Sequence, residues 1–183
     1  MTEIKKHKKQ YKYKIPVIGD PAVGKSSLIK KYTKGSFQSD YIPTVGAQFL
    51  KYEVDIEGDR VSFFIWDIAG QDTHHFLRPA FYEGSKGAII VYSLEESKMG
   101  KLSYNHIDEW HDEIKAYCGS IPVILIGNKV DLVHEQELNE EKILKLVKKR
   151  GFIGHYRTSA KDGTGVLTAF ETLVIALINK YKI

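Results

Sequence analysis

The strongest constraint on the fold is a short loop motif that follows an apolar segment. Residues 11–18 end in the apolar run Ile-Pro-Val-Ile, and GDPAVGKS at residues 19–26 then matches the pattern GxxxxGK[ST]. Residues 25–34 carry apolar side chains at helical spacing and stop before Gly35. In a strand, glycine-rich loop and helix of this order, backbone N–H groups and the helix N-terminus face a bound phosphate. The motif therefore predicts a nucleoside triphosphate site, without saying which base is bound.

The last two residues of the motif carry the charge chemistry of such a loop. The Lys25 side chain is expected to reach the β- and γ-phosphates, and the Ser26 hydroxyl is expected to ligate Mg²⁺. A chance glycine-rich turn is the alternative, and the strand before it and the helix after it argue against that reading.

The rest of the chain alternates strand-like and helix-like stretches. Residues 49–56 and 61–66 predict an antiparallel hairpin, and the apolar runs 88–92 and 123–126 predict strands buried on both faces. Helical spacing of apolar residues recurs in three later segments, 107–117, 140–150 and 165–181. We therefore predict an α/β fold with a mostly parallel six-stranded sheet, one antiparallel hairpin strand and helices on both faces. Ligands of such sheets bind at the carboxyl ends of the strands.

The net charge of +4 is concentrated in one segment. Residues 1–14 hold six lysines and one glutamate, a net of +5, so residues 15–183 sum to −1. A basic nucleic-acid-binding face is therefore not expected, and no nucleic acid partner is predicted. We divide the chain into a basic N-terminal extension, residues 1–10, and one domain, residues 11–183. The extension is either a solvated terminus or a weak contact to an anionic membrane.

Cysteine usage and hydropathy limit the class of protein further. Cys118 is the only cysteine, which excludes an internal disulfide and a cysteine-based zinc site and fits a cytoplasmic protein. No apolar stretch reaches the roughly 17–25 residues of a membrane span, and the lysine-rich start is unlike a signal peptide. His106 and His111 are five residues apart, off a common helical face, so a metal site there is not expected.

A second motif, GNKVD at residues 127–131, predicts which base is bound. A carboxylate at Asp131 would accept from the N1–H and 2-amino groups of guanine, whereas the unprotonated N1 of adenine would repel it. Asn128 can bond the Hoogsteen side of guanine and the neighbouring loops, and the stem of Lys129 can lie along the base. Guanine is therefore the predicted base.

With three further motifs in the same order, the chain resembles a Ras-superfamily small GTPase, and the Rab-like branch is the nearest comparison. YIPTVG at residues 41–46 resembles the first switch, and DIAGQ at residues 67–71, after Trp66, resembles the second switch. TSAK at residues 158–161 resembles the loop that closes over guanine. The resemblance implies a P-loop G domain that binds GTP and GDP with Mg²⁺ and hydrolyses GTP.

The resemblance also implies roles for individual residues. Gln71 would orient the attacking water, and the catalytic set would be Lys25, Thr44, Gly70 and Gln71. Ser26 and Thr44 would ligate Mg²⁺ directly, and Asp67 would hold it through water. The implied nucleotide-binding residues are Asp20, Pro21, Ala22, Val23, Gly24, Lys25, Ser26, Ser27, Phe37, Tyr41, Thr44, Gly70, Asn128, Lys129, Asp131, Ser159, Ala160 and Lys161.

Partners and alternatives follow from the same comparison. An exchange factor, a GTPase-activating protein and effectors are expected at residues 37–46 and 71–82 of a monomeric, cytoplasmic or membrane-peripheral switch. Two other classes compete: an ATP-dependent P-loop enzyme, against which Asn128 and Asp131 argue, and a catalytically slow GTP-binding scaffold.

Two features of the sequence depart from the family pattern. Pro21 stands where the family usually has a small residue, and a proline has no N–H to donate. The sequence ends at Ile183 without a prenylation cysteine, so the lipid-anchor tail is either truncated or not used.

Overall fold

A computed structural model of the chain describes residues 9–33, 38–42, 47–56, 58–68, 78–134 and 140–181. Its strands are β1 (Gln10–Ile18), β2 (Gln38–Ile42), β3 (Ala47–Ile56), β4 (Asp59–Ile68), β5 (Ala88–Ser93), β6 (Val123–Asn128) and β7 (Gly154–Thr158). Its helices are α1 (Lys25–Tyr32), α2 (Arg78–Tyr82), α3 (Lys98–Asn105), α4 (Ile107–Cys118), α5 (Glu140–Arg150) and α6 (Val166–Tyr181), and a 3₁₀ turn covers Val130–Leu132.

The strands form one sheet in the order β2-β3-β4-β1-β5-β6-β7. Strand β1 pairs in parallel with β4 and β5, and β5, β6 and β7 continue in parallel. Strands β2 and β3 are antiparallel to their neighbours, and Ile56 pairs with Asp59 across the hairpin. The predicted mostly parallel α/β class is confirmed, and the short strand β2 joins the edge of the sheet in addition to the six that the sequence predicts.

The helices pack on both faces because the central strands alternate their side chains between two cores. On one face, Ile89 and Val91 of β5 belong to the core that α1 and α6 cover, together with Leu28 and Phe170. On the other face, the intervening residues of β5 belong to the core that α2 and α4 cover. The strand β5 is buried along its whole length, which explains its continuous apolar sequence.

Several elements extend or add to those predicted from the sequence. The hairpin strands are longer than predicted, at Ala47–Ile56 and Asp59–Ile68, while α1 ends at Tyr32 rather than residue 34. The helices α2 and α3 were not predicted. A sixth strand was expected, but its position at Gly154–Thr158 (β7) was not located, because this segment lacks a clear apolar signal. Among the helices of the described ranges, none combines the length and apolar character needed to cross a bilayer.

Candidate nucleotide-binding site

The predicted phosphate and base motifs lie at the same edge of the sheet. The motif GDPAVGKS follows the carboxyl end of β1, and Asp67 stands level with Val17 near the end of the neighbouring strand β4. Asn128 ends β6 and pairs in register with Ser93 of β5 and Thr158 of β7. Parallel strands present their carboxyl ends together, which brings motifs more than 100 residues apart into one crevice.

Two glycines allow the phosphate loop to pass close to other backbone. Gly19 has φ +135°, and a Cβ there would stand 2.1 Å from the carbonyl oxygen of Val91 in β5. Gly24 has φ +98°, and its Cβ would stand 2.3 Å from Nδ2 of Asn128. Between them Ala22 adopts φ +61°, a conformation that is costly for a residue with a Cβ. The motif therefore needs glycine for tertiary contacts as well as for a turn.

Lys25 is the buried cation of the loop. Its Nζ donates to the carbonyl oxygens of Gly19 and Asp20, both at 2.8 Å, and only 7% of the residue is exposed. Burial lowers the pKa of the Lys25 ammonium to about 8, which the nearby Asp67 and Asp20 oppose and Arg78 reinforces. The ammonium is thus held in place by the loop that surrounds it, with little water around it.

Ser26 and Asp67 supply the oxygen atoms that the sequence assigns to Mg²⁺. The Ser26 hydroxyl donates a hydrogen bond to the Asp67 carboxylate. Burial raises the pKa of the Asp67 carboxyl, while this hydrogen bond and the charge of Lys25 lower it. A hydroxyl and a partly buried carboxylate in contact are the hard oxygen donors that Mg²⁺ prefers, so the residues fit the ion.

Asn128, in the predicted base motif, is the centre of a buried hydrogen-bond network. Its Nδ2 donates to the Val23 carbonyl in the phosphate loop at 2.9 Å. Its Oδ1 accepts from the Thr158 hydroxyl at 3.1 Å and from the Ala160 N–H at 3.2 Å. Asn128 is 1% exposed and joins the phosphate loop to the loop after β7. This agrees with the expectation that it bonds the neighbouring loops.

Lys129 and Asp131 follow β6 at the surface of the crevice. Lys129 has φ +69°, and its ammonium pairs with Glu95 after β5. Asp131 lies in the 3₁₀ turn Val130–Leu132 and is exposed. Lys129 leads from the end of β6 directly into this turn, so the exposed Asp131 carboxylate lies close behind the strand.

The predicted guanine-closing loop is held by its own backbone. The Ser159 N–H donates to the Thr164 carbonyl at 3.0 Å, and the Ser159 carbonyl accepts from Gly163 at 2.8 Å. Lys31 of α1 donates to the carbonyl of Lys161 at 3.2 Å, which ties this loop to the helix after the phosphate loop. The three residues Ser159, Ala160 and Lys161 therefore lie beside the network of Asn128.

Two side chains that hold the phosphate loop, His106 and Trp110, were not predicted from the sequence. The Asp20 carboxylate faces α4, where it contacts Nδ1 of His106 at 2.7 Å and Nε1 of Trp110 at 2.8 Å. No sequence signal marks this contact, because the partners are 86 and 90 residues away.

The two histidines His106 and His111 have different surroundings, since His111 packs against Phe152. Among the described residues, no cluster of three or more metal-ligating side chains occurs.

Several predicted site residues lie outside the described part of the chain. These are Phe37, Thr44, Gly70 and Gln71, and for Tyr41 the backbone of β2 is described but not the side chain. Within the described phosphate loop, Pro21, Ala22, Ser26 and Ser27 are exposed and Val23 is buried. The predicted phosphate and base motifs are therefore described more fully than the two predicted switches.

A large cavity lies beside the crevice rather than within it. It has a volume of about 940 Å³ between α3, α5 and the strands β5 to β7, and includes Tyr92, Tyr104 and His155 in its lining. Burial lowers the pKa of His155 to about 4, so this side chain is neutral at pH 7, and it shares a 3.0 Å hydrogen bond with Tyr92. Glu95, the partner of Lys129, lines the same cavity.

Comparison with known proteins agrees with this geometry. The sequence profile of the Ras family matches residues 14–179. The chain belongs to the Ras family. The Ypt/Rab-type GTPase ypt7 of Schizosaccharomyces pombe is 36% identical over 94% of this chain and 85% of its own length. The Ras-related protein RABA5e of Arabidopsis thaliana is 34% identical over 94% of the chain and 77% of that protein. The human Ras-related protein Rab-9A is 33% identical over 88% of the chain and 81% of its length.

The family membership confirms the principal expectations from the sequence. This Ras family protein is a Rab-like small GTPase, a guanine-nucleotide-binding molecular switch that hydrolyses GTP. An ATP-dependent P-loop enzyme is thereby ruled out, and the slow-scaffold alternative has no better support than the switch.

Proposed function

We propose that the guanine nucleotide of this GTPase is bound by two groups of residues that Asn128 links. The phosphates lie against the backbone of residues 19–26 and the ammonium of Lys25, while Asp131 accepts from the guanine edge. The observation that supports this arrangement is the set of three hydrogen bonds of Asn128, which join the phosphate loop to the loop of Ala160. Because one side chain connects both loops, base and phosphates can be held at a constant separation.

The base-reading role is tested by Asp131→Asn. The substitution replaces one acceptor oxygen by a donor, so guanine loses a charge-assisted pair of hydrogen bonds and xanthine, with a carbonyl at C2, gains a partner. We expect GDP affinity to fall by about 2–4 kcal/mol while xanthosine diphosphate affinity rises. Isothermal titration with both nucleotides measures this, with Asp112→Asn, an exposed aspartate of α4, as the matched control. Unchanged GDP affinity in Asp131→Asn would contradict the assignment.

For the metal, Ser26 and Asp67 are the residues that would hold Mg²⁺, with Thr44 as the third. A bound Mg²⁺ supplies charge neutralisation for the phosphate oxygens. The role of the chain itself is to keep the Ser26 hydroxyl and the Asp67 carboxylate in contact at the mouth of the phosphate loop. Lys25, held by the carbonyls of Gly19 and Asp20, adds a second positive charge from inside the loop.

For hydrolysis, we assign the orientation of the attacking water to Gln71, with the backbone of Thr44 and Gly70 at the γ-phosphate. Gln71→Leu is expected to slow single-turnover GTP hydrolysis by about tenfold or more, while GDP affinity stays within about twofold, because the amide acts on the water rather than on the bound ground state. Gln10→Leu, at the exposed start of β1, is the matched control. A wild-type rate in Gln71→Leu would overturn this role.

For partners, we propose that an exchange factor, a GTPase-activating protein and effectors of a membrane-trafficking pathway dock at residues 37–46 and 71–82. This rests on the likeness to Ypt and Rab proteins. The lysines of residues 1–10 would add a weak, salt-sensitive contact to an anionic membrane for a protein that is otherwise cytoplasmic and monomeric. Co-sedimentation with phosphatidylserine vesicles, compared between the full chain and a chain lacking residues 2–10, tests that contact.

A further inference from the structure

The Asp20 carboxylate places a negative charge in the loop that is proposed to bind phosphates. A carboxylate repels a polyphosphate, and the repulsion is weakly screened where water is scarce. The Asp20 residue is 8% exposed, and its two carboxylate oxygens are bound by Trp110 of α4 and by His106 directly before α4. Its backbone carbonyl meanwhile accepts from Lys25. Asp20 thus connects Lys25, through its backbone carbonyl, to α4, through its side chain.

Two N–H donors hold this carboxylate. The Trp110 indole N–H donates to Oδ1 at 2.8 Å. At 2.7 Å from Oδ2, Nδ1 of His106 must carry its hydrogen, because a carboxylate only accepts. Trp110 is 8% exposed, whereas the His106 side chain is 38% exposed at the junction of α3 and α4. The two donors differ in burial, so they can be removed separately.

The ring of Trp110 is itself held by a buried cation. The guanidinium carbon of Arg78, at the start of α2, lies 4.5 Å from the ring centroid. Arg78 donates to Glu113 of α4 at 3.3 Å, and its Nε is buried with no hydrogen-bond partner among the described residues. The guanidinium thus packs against the face of the same indole ring whose N–H donates to Asp20.

We propose that Trp110 and His106 are positioning residues for the phosphate loop. They hold the Asp20 carboxylate on α4, away from the nucleotide phosphates, and thereby set the backbone of Gly19 and Asp20 that orients Lys25. The inference rests on the proposed phosphate-binding role of residues 19–26. The effect is electrostatic, because without the two donors the Asp20 carboxylate can rotate toward the phosphates and repel them.

The first prediction is a faster release of nucleotide. Trp110→Phe keeps an aromatic ring beside Arg78 but loses the N–H, so GDP dissociation is expected to accelerate about tenfold. His106→Ala, at the more exposed donor, is expected to accelerate it about threefold. Both rates are measured by displacement of a fluorescent GDP analogue, with thermal unfolding recorded in parallel. His111→Gln, one residue along the same helix and not in contact with Asp20, is the control: it is expected to lower Tm without changing GDP release.

The deciding experiment is rescue by Asp20→Asn. Asparagine retains the size and an acceptor oxygen but carries no charge, so it removes the repulsion that the donors suppress. In Trp110→Phe and in His106→Ala, adding Asp20→Asn is expected to return GDP dissociation to within about twofold of Asp20→Asn alone. If both double variants release GDP as fast as the corresponding single variants, Trp110 and His106 act only through packing and the inference is wrong.

A second measurement separates this inference from the proposed function. If residues 19–26 do not bind phosphate, wild-type protein will retain GDP no better than guanosine. If only the present inference fails, wild-type protein still prefers GDP, and the rescue alone is missing. Because His106 is partly exposed, His106→Ala tests the inference even if Trp110→Phe does not fold.

Discussion

The two sides of the crevice are built from different interactions. We call residues 19–26 with Asp67 the proposed phosphate side, and residues 127–131 the proposed base side. On the phosphate side, Lys25 is a buried ion and Asp67 a partly buried one. Burial lowers the pKa of Lys25 and raises that of Asp67, which in each case favours the neutral form. On the base side, Asn128 is a neutral amide whose three hydrogen bonds are all made within the protein. In the ligand-free protein, the charged groups of the first region therefore carry an unfavourable desolvation free energy. In the second region, the polar atoms of Asn128 have hydrogen-bond partners within the protein.

Because of this difference, we expect substitutions on the two sides to have different effects on ligand affinity and on the free energy of unfolding. A buried ammonium costs free energy in the folded protein and recovers it against an anionic ligand, so its removal harms binding more than folding. A buried amide with all its partners supports the fold itself, and its loss leaves buried donors and acceptors unpaired. The two sides should therefore respond in opposite ways to truncation.

The largest effect is expected from Lys25→Met. Without the ammonium, GDP affinity should fall by at least about a thousandfold, roughly 4 kcal/mol, because the strongest cation of the loop is gone. The free energy of unfolding without nucleotide should stay the same or rise, since a desolvated charge has been removed. Titration calorimetry and urea unfolding measure the two quantities. Lys30→Met, on the exposed side of α1, serves as control, and a marked loss of stability in Lys25→Met would erase the contrast.

A smaller loss of affinity, joined to a loss of stability, is expected from Asn128→Ala. The Val23 carbonyl, the Thr158 hydroxyl and the Ala160 N–H lose their partner, which should lower the free energy of unfolding by about 2 kcal/mol. GDP affinity should fall by about a hundredfold as the two loops lose their link. Urea unfolding without nucleotide checks the stability, with the exposed Asn179→Ala as control. Full stability in Asn128→Ala would mean that these hydrogen bonds do not support the fold.

The smallest effect is a pH dependence confined to the phosphate side. Only protonated Lys25 attracts phosphate, and its pKa of about 8 means that protons leave it as the pH rises from 7 to 9. Bound phosphate raises that pKa, so GDP affinity should fall by about tenfold between pH 7 and pH 9 as Lys25 loses its proton. Guanosine, which lacks phosphates, is the control and should bind with little change. Parallel losses for GDP and guanosine would assign the titration to the base side.

Much of the site is predictable from residue order alone. The phosphate loop and the motif at residues 127–131 have fixed spacing because each works through the backbone of one strand–loop–helix or strand–turn unit. Their place at the carboxyl edge of the sheet follows from the parallel α/β pattern, since consecutive buried strands such as β5 and β6 point the same way. The family resemblance extended this to the metal and guanine loops, with the family confirmed by the comparisons.

Three other elements, β7, α3 and β2, could not be located from the sequence, and each has a physical reason. Strand β7, GHYRT, has no residue buried before Thr158, so its apolar signal is weak. Helix α3 is short and contains Gly100, where a Cβ would stand 2.0 Å from the Glu95 carbonyl, so tertiary contact and not helix propensity explains that glycine. The edge strand β2 has a neighbour on one side only, and pairing with β3 gives it its structure.

The amino-acid sequence alone specifies the fold class, the two nucleotide motifs and the expected guanine base, because these depend on backbone geometry and residue chemistry within short segments. The orientation of Asp20 depends on folding of the whole chain. From its sequence position we expect it near the phosphates, yet its carboxylate is bound by Trp110 of α4 and by His106 directly before α4. A side chain turns toward the donors that the fold brings near, and donors 86 and 90 residues away come near only when the sheet and its helices have assembled.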